Sequence, residues 1–497
     1  MLRNLVTTYL ARFAVVLSTF VLVPIVAPSV GLPAYGMYAL VSSISILFAQ
    51  DLGVASATTR FVADAKTVGS RVRLRQVSTA SSYFFLSLSI VVSAVVALVF
   101  VFVLPGVDAG PEVNVAVLGA LGVLTVSVSM GSLSHRQILA GVGRLDAANA
   151  VQVAQAVIRV AGTVIILIWW RDVVAVALID LIAATAGTIA VWALRRRLCP
   201  ETNAKRASFR WSVLKELLRF SADLLVLTLA AAVILQAGTV LSALLLPLGA
   251  AAVYSAANRA FLLVREAANS ITTALLPTAT VHSASGNHSA NGRLLINGTR
   301  LANAAMIGIL APVVVLAHEL LEIWVGSDLA AGYVAAQILI LSMLANNNHV
   351  IATPILIGMG RVRAYAILHA TWAVVGIALA PLLAPNLGIG GVALALSLPV
   401  MVLEPVYISV AVRIINVRWQ EYLVQSILRP YAVAAAPIAL FLVFRFFISF
   451  DLLTVLGITV AWLTVYFALA WRLSLDADER AAVVQRLLRR KHGEEKD

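Results

Sequence analysis

Of the 497 residues in this chain, 61% are hydrophobic and only 12% are charged, and the mean hydropathy is +0.97. A soluble core cannot hide that much apolar surface, which excludes an ordinary globular enzyme or binding domain. The net charge is +13, from 36 Lys and Arg against 23 Asp and Glu. Because the basic residues border apolar stretches, they fit anchors to anionic lipid headgroups rather than a nucleic-acid surface.

The expected fold is an all-α polytopic membrane protein with fourteen transmembrane helices at 8–30, 34–58, 79–104, 113–134, 147–169, 173–194, 221–246, 249–277, 300–318, 332–356, 364–384, 389–412, 430–448 and 452–471. Each is long enough to cross roughly 30 Å of hydrocarbon at 1.5 Å per residue. The start, Met1 to Asn4 before an apolar run, lacks a small-residue cleavage pattern ahead of Pro24 and reads as the first helix rather than a signal peptide. Basic residues fall almost entirely in every second connection. The others hold Asp108, Glu112, Asp172, Glu319, Glu322, Asp328 and Asp451, with Arg171 and Arg445 as their only basic residues. This bias places both termini in the cytoplasm.

The largest inner connection, 195–219, carries Arg195, Arg196, Arg197, Lys205, Arg206, Arg210, Lys215 and Arg219. Its Phe209, Trp211, Val213, Leu214, Leu217 and Leu218 suit a short helix on the membrane surface. It divides a six-helix lobe, 1–194, from a second, 220–413, followed by a helix pair, 414–472, and a cytoplasmic tail, 473–497, with Arg486, Arg489, Arg490 and Lys491 near its end. Weak internal repetition supports the division: Gly143-Arg144 corresponds to Gly360-Arg361, and Val174 to Leu178 corresponds to Gly391 to Ala395 at the same offset. Six spans return the chain to its starting side, so the repeats are parallel, as in transporters that rock two halves around a midplane site. Cys199 is the sole cysteine, so the chain has no intrachain disulfide and no metal-ligand spacing at that thiol.

Several short motifs carry a family resemblance: Arg12-Phe13, Pro24, Gly31 with Tyr35-Gly36, Asp51-Leu52-Gly53 and Arg60. Leu214 to Ser221, Tyr254 to Arg259 and Ile323-Trp324-Val325-Gly326 extend it over about residues 1–415. The chain thereby resembles the multidrug/oligosaccharidyl-lipid/polysaccharide (MOP) exporter superfamily, and within it the Wzx-type polysaccharide-unit flippases of bacteria. The fourteen-helix layout is similar to the lipid II flippase branch. Gln236 departs from the pattern, since family members often have an acidic residue in the seventh span.

A charge at the bilayer centre costs at least about 2.5 to 3.5 kcal/mol, so charges inside spans call for a partner or a wet cavity. Arg259 lies near the middle of the eighth span, with Glu266 two turns further along the same stripe. Asn258, Arg265 and Asn269 form an adjacent stripe with spacings of seven and four. Arg12 and Arg159 can add to a positive lining. The resemblance implies substrate-binding Arg in spans one and eight, matching Arg12 and Arg259. Such a cluster suits a polyprenyl pyrophosphate, whose acceptor oxygens match the guanidinium fork. The alternative is that these Arg pin helices together, as Arg159 with Asp180 or Arg259 with Glu266 would do. Asp51, Asp180, Glu266 and Glu404 are candidate coupling carboxylates. Asn346 to His349 form a polar patch suited either to sugar hydroxyls or to hydrogen bonds between helices.

The expected function is a flippase that moves a polyprenyl-pyrophosphate-linked oligosaccharide across the cytoplasmic membrane by alternating access, making and breaking no bond. The alternatives are a cation-coupled multidrug or metabolite exporter, which needs a net acidic cavity, and a membrane glycosyltransferase, which needs acidic residues in a sizeable outer loop. No Walker-type loop or metal-ligand set is visible, so no cofactor is expected. The expected partners are the lipid-linked glycan, membrane lipids and polysaccharide polymerase machinery, without nucleic acid, and the chain is expected to act as a monomer.

Overall fold

The computed structural model describes residues 2–108, 113–273, 288–445, 452–474 and 480. Glu112, Pro277, Asp451 and the tail residues Arg486, Arg489, Arg490 and Lys491 lie outside the described residues, as do the side chains of Asn269 and Arg445. All regular structure among the described residues is helical. The main elements are α1 (Leu2–Val30), α2 (Leu32–Phe48), α3 (Val54–Thr67), α4 (Arg71–Val103), α5 (Val115–Gly141), α6 (Leu145–Trp169), α7 (Val173–Leu198), α8 (Trp211–Leu245) and α9 (Leu248–Thr273). They are followed by α10 (His288–Val315), α11 (Ala317–Val325), α12 (Tyr333–Val350), α13 (Ala352–Gly358), α14 (Arg363–Ile415), α15 (Arg429–Arg445) and α16 (Leu452–Leu473).

Eleven helical stretches among the described residues are long and apolar enough to cross a membrane. That number counts α14, 53 residues long, as one, although it bends at Gly388, where φ is 56° and ψ −140°. It omits α2, which has 17 residues, and α9, whose Arg259, Arg265 and Glu266 interrupt its apolar run. On α4, Leu86, Ile90, Val91, Leu98, Val101 and Phe102 are all more than half exposed, a surface suited to hydrocarbon.

Two boundaries differ from the sequence reading for identifiable reasons. The span expected at 34–58 stops at Phe48, because Leu52 and Gly53 both take left-handed φ, 54° and 75°, and Asp51 accepts a bond from Gly53 N at 2.9 Å. The chain restarts as α3. The surface helix expected before the seventh span is instead the first part of α8, which runs unbroken for 35 residues. Nothing between Trp211 and Leu245 breaks it, and its Val213, Leu214 and Leu217 are buried in a core cluster with Val62, Val77, Ile138 and Val191.

By contacts the chain forms two compact units. The first comprises Met1–Glu266, Trp324–Ala335 and Tyr365–Pro399. Within it Trp324 stacks on Phe20 with ring centroids 3.8 Å apart, and its Nε1 donates to Phe20 O at 3.2 Å. Gly36 brings α2 against the start of α9: a Cβ there would stand 2.4 Å from Leu248 O, so only glycine fits. The second unit comprises Ala267–Ile323, Ala336–Ala364 and Val400–Asp497. Its core gathers Ile307, Leu316, Phe441, Trp462 and Tyr466. There Trp462 Nε1 donates to Gly308 O at 2.7 Å and Tyr466 OH to Ala304 O at 2.9 Å, tying α16 to α10.

Candidate functional site

A cavity of about 420 Å³ opens inside the first unit, with walls from α1, α2, α5, α6, α7 and α9. Its charged lining is Arg136, Arg159, Arg259 and Asp180, three guanidiniums against one carboxylate. The periodicity of the helices aims these groups inward. On α5, Thr125, Ser129, Ser132 and Arg136 recur at spacings of four, three and four, and on α6, Gln152, Gln155 and Arg159 recur at three and four, each set forming one face of its helix.

Arg159 is held in place. Its Nε donates to Asp180 Oδ1 at 2.6 Å and its terminal nitrogen to Tyr38 OH at 3.0 Å, while Tyr38 OH donates to Asp180 Oδ2 at 2.5 Å. The triad joins α2, α6 and α7, so the pairing considered for Arg159 and Asp180 is present, and both still line the cavity. Arg136 donates to Gln155 Oε1, and its buried Nε has no hydrogen-bond partner among the described residues. Arg259 lines the same cavity and forms no ion pair among the described residues. Several hydroxyls on the wall give their hydrogen to their own helix: Ser18 to Val15 O at 2.7 Å, Thr125 to Leu121 O at 2.8 Å and Ser132 to Ser129 O at 2.7 Å. Their oxygens are left as acceptors.

The other sequence candidates take different places. Arg12 is outside this lining and half exposed, with its guanidinium 3.7 Å from Glu266 Oε1, so Glu266 pairs with Arg12 rather than Arg259. Asn258 is buried and donates to Leu235 O of α8 at 3.2 Å, which turns it away from the cavity because its amide is satisfied between helices. Arg265 is not part of the lining. Asp51 shapes the turn before α3. Glu404, in the second unit, is bonded to His349 Nδ1 at 2.7 Å. The neighbouring Asn347 and Asn348 both bond to Asn303 of α10, at 2.7 and 2.8 Å, the interhelical use of that patch.

Sequence reasoning missed Arg136, Gln152, Gln155 and Tyr38. Arg136 fell two residues past the expected end of its span, which α5 overshoots by two turns. The polar stripe on α5 was the available signal.

A model of the family described as polysaccharide biosynthesis protein matches residues 1–281, more than half of the chain. No curated protein matches by sequence. Among solved structures, the lipid II flippase MurJ in an inward closed conformation aligns with a TM-score of 0.69 at 14% identity, covering 95% of this chain and 99% of that one. An inward-facing multidrug resistance MATE family transporter of the MOP superfamily aligns at 0.67 and 14% identity, covering 82% and 94%. An outward-facing MATE transporter of that superfamily gives 0.62 at 15% identity, covering 83% and 95%. The fold is that of the MOP exporters, as the motifs implied.

Proposed function

We propose, on the premise that this chain belongs to the polysaccharide biosynthesis protein family, that it is a flippase moving a polyprenyl-pyrophosphate-linked oligosaccharide across the bacterial cytoplasmic membrane by alternating access. The observation that carries this reading is the cavity with three arginines and one carboxylate, that carboxylate already engaged by Arg159 and Tyr38. Arg259 and Arg136, which have no carboxylate partner among the described residues, are then the groups to meet a pyrophosphate, whose oxygens accept forked, charge-assisted bonds. The hydroxyl oxygens of Ser18, Thr125 and Ser132 offer acceptors to sugar O–H groups. The prenyl tail stays in lipid while the headgroup exchanges its hydration for these partners. Both termini face the cytoplasm in this reading, in keeping with the basic inner connections.

A cation exporter on the same fold needs a net acidic cavity, and the one carboxylate in this lining is already paired. The test reconstitutes the protein in liposomes with a fluorescent polyprenyl-pyrophosphate-linked oligosaccharide and follows its movement between leaflets. A hydrogen bond to a charged group contributes about 1.5–3 kcal/mol, so Arg259→Ala slows the movement about tenfold or more. Arg259→Lys, which keeps charge but loses the fork, falls between. An unchanged rate in Arg259→Ala removes the site, and wild-type movement of a cationic dye in place of the lipid removes the cargo.

A further inference from the structure

The second unit contains a titratable pair that anion binding in the first does not use. His349, near the end of α12, is 1% exposed, and Glu404, on the last stretch of α14, is 7% exposed. His349 Nδ1 and Glu404 Oε2 are 2.7 Å apart, and the Tyr407 ring lies flat on the imidazole with centroids 3.9 Å apart. The other carboxylate oxygen, Glu404 Oε1, is buried with no hydrogen-bond partner among the described residues.

The surroundings make that oxygen informative. Asn303, Asn347 and Asn348 bond to one another, and Tyr422 OH bonds to Thr299 Oγ1 at 3.1 Å and to the Asn348 carbonyl. A site that satisfies its amides this thoroughly leaves one carboxylate oxygen bare. A buried acceptor without a donor is costly, and a buried net charge more so. The titratable groups near Glu404 are His349 from α12, Tyr407 on its own helix, Tyr422 from the short turn Trp419–Tyr422, and Tyr431 from α15. Arg300, the buried cation of α10, bonds to Asn297 on its own helix. The ion pair to Glu404 among the described residues comes from His349.

We propose that the His349–Glu404 pair is a binding site for one exchangeable proton, taken up and released during the transport cycle. The proton comes from water, adds to Glu404 Oε1 as an O–H bond, and leaves by breaking that bond, while Oε2 keeps its hydrogen bond with His349. Each uptake or release changes the charge of the pair by one unit. Near both residues a proline removes one bond from the helical hydrogen-bond ladder. Just after α12, Pro354 leaves the Val350 carbonyl without its usual donor, and Pro405, next to Glu404, does the same to the Met401 carbonyl within α14. A change of charge there acts on backbone that is already interrupted, giving a transport cycle a place to register the proton. This concerns the energy source rather than the cargo and stands apart from the flippase reading.

The test begins without cargo, on the full-length protein in lipid nanodiscs. Infrared difference spectra recorded as the pH is lowered should show one buried carboxylic-acid carbonyl band growing on acidification. Glu404→Gln should lose the band, and His349→Gln should move its midpoint. No band, or an identical band in Glu404→Gln with unchanged thermal melting, overturns the site. Loss of the band on adding sodium at fixed pH overturns it in favour of a metal-cation site.

In proteoliposomes, a gradient of about one pH unit should shift the steady-state distribution of the labelled lipid about tenfold for one proton per cycle in wild type and not in Glu404→Gln. Wild-type movement that ignores the gradient overturns the coupling. Absence of any lipid movement in wild type counts against the flippase reading, and the infrared result then decides the proton site alone.

Discussion

At the scale of single residues, the first unit separates a paired arginine from an unpaired one. Arg159 is fixed by Asp180 and Tyr38, and removing its carboxylate leaves a guanidinium in a largely enclosed wall. Asp180→Asn is expected to cost about 3 kcal/mol, since breaking an enclosed pair strands a charge. The exposed Arg60–Asp64 pair of α3, 3.9 Å apart, is the control: Asp64→Asn should cost no more than about 0.5 kcal/mol in the same thermal melts. Equal losses in the two variants would show that the Arg159 triad contributes nothing special. Cys199 gives an independent check on burial at the end of α7. Burial, with Glu201 adding to it, pushes its thiol above the ordinary range against the pull of nearby basic groups. Alkylation by a maleimide at neutral pH should therefore run at least about tenfold faster after denaturation than in the folded protein, and should rise with pH in the folded state.

Which residues were legible beforehand follows from what kind of information each needed. Arg259 stood out because a charge deep in an apolar stretch is visible one helix at a time. The pairing of Arg12 with Glu266 needed α1 beside the end of α9, and the bond from Asn258 to Leu235 needed α8, so neither could be read from spacing alone. Glu404 was marked as a carboxylate in a span, but its partner His349 lies 55 positions away, and only the fold shows that the two meet.

At the scale of elements, hydropathy located the spans well because a crossing helix must be apolar over about 20 residues whatever it packs against. It failed where backbone conformation decided the outcome. The α2–α3 break depends on left-handed φ at Leu52 as well as Gly53, and Leu52 looks like any other apolar residue in a window average. The join of the basic linker to α8 was hidden for the opposite reason, because a polar start to a helix resembles a separate element. Close approach gives a direct prediction: Gly36→Val places a branched side chain against Leu248 O and should destabilise the first unit by about 1–3 kcal/mol, read as a lower melting temperature and reduced yield. Gly388→Ala adds no contact within 4 Å, so any loss there measures backbone strain at φ 56° and ψ −140° alone, about 1–3 kcal/mol.

At the scale of the whole molecule, the alternation of basic and acidic connections is what the proposed orientation in the membrane rests on. The helix α4 runs from Arg71 to Val103 and is long and apolar enough to cross a membrane, so its two ends are expected on opposite faces. With Cys199 replaced by Ser, single cysteines at Ser70 and Asp108 should label with a membrane-impermeant reagent from opposite sides, Ser70 from the cytoplasm. Labelling of both from one side would overturn the proposed topology.

The partition of the chain carries one more consequence. The stretches Trp324–Ala335 and Tyr365–Pro399 pack with the amino-terminal residues, and the stacking of Trp324 on Phe20 is the clearest sign of it. A protease cut in the basic stretch after Leu198 would therefore sever the polypeptide without freeing either piece, because the later fragment supplies part of the earlier fragment's own interior. The two pieces should elute together from a sizing column in mild detergent and separate only when the protein is denatured.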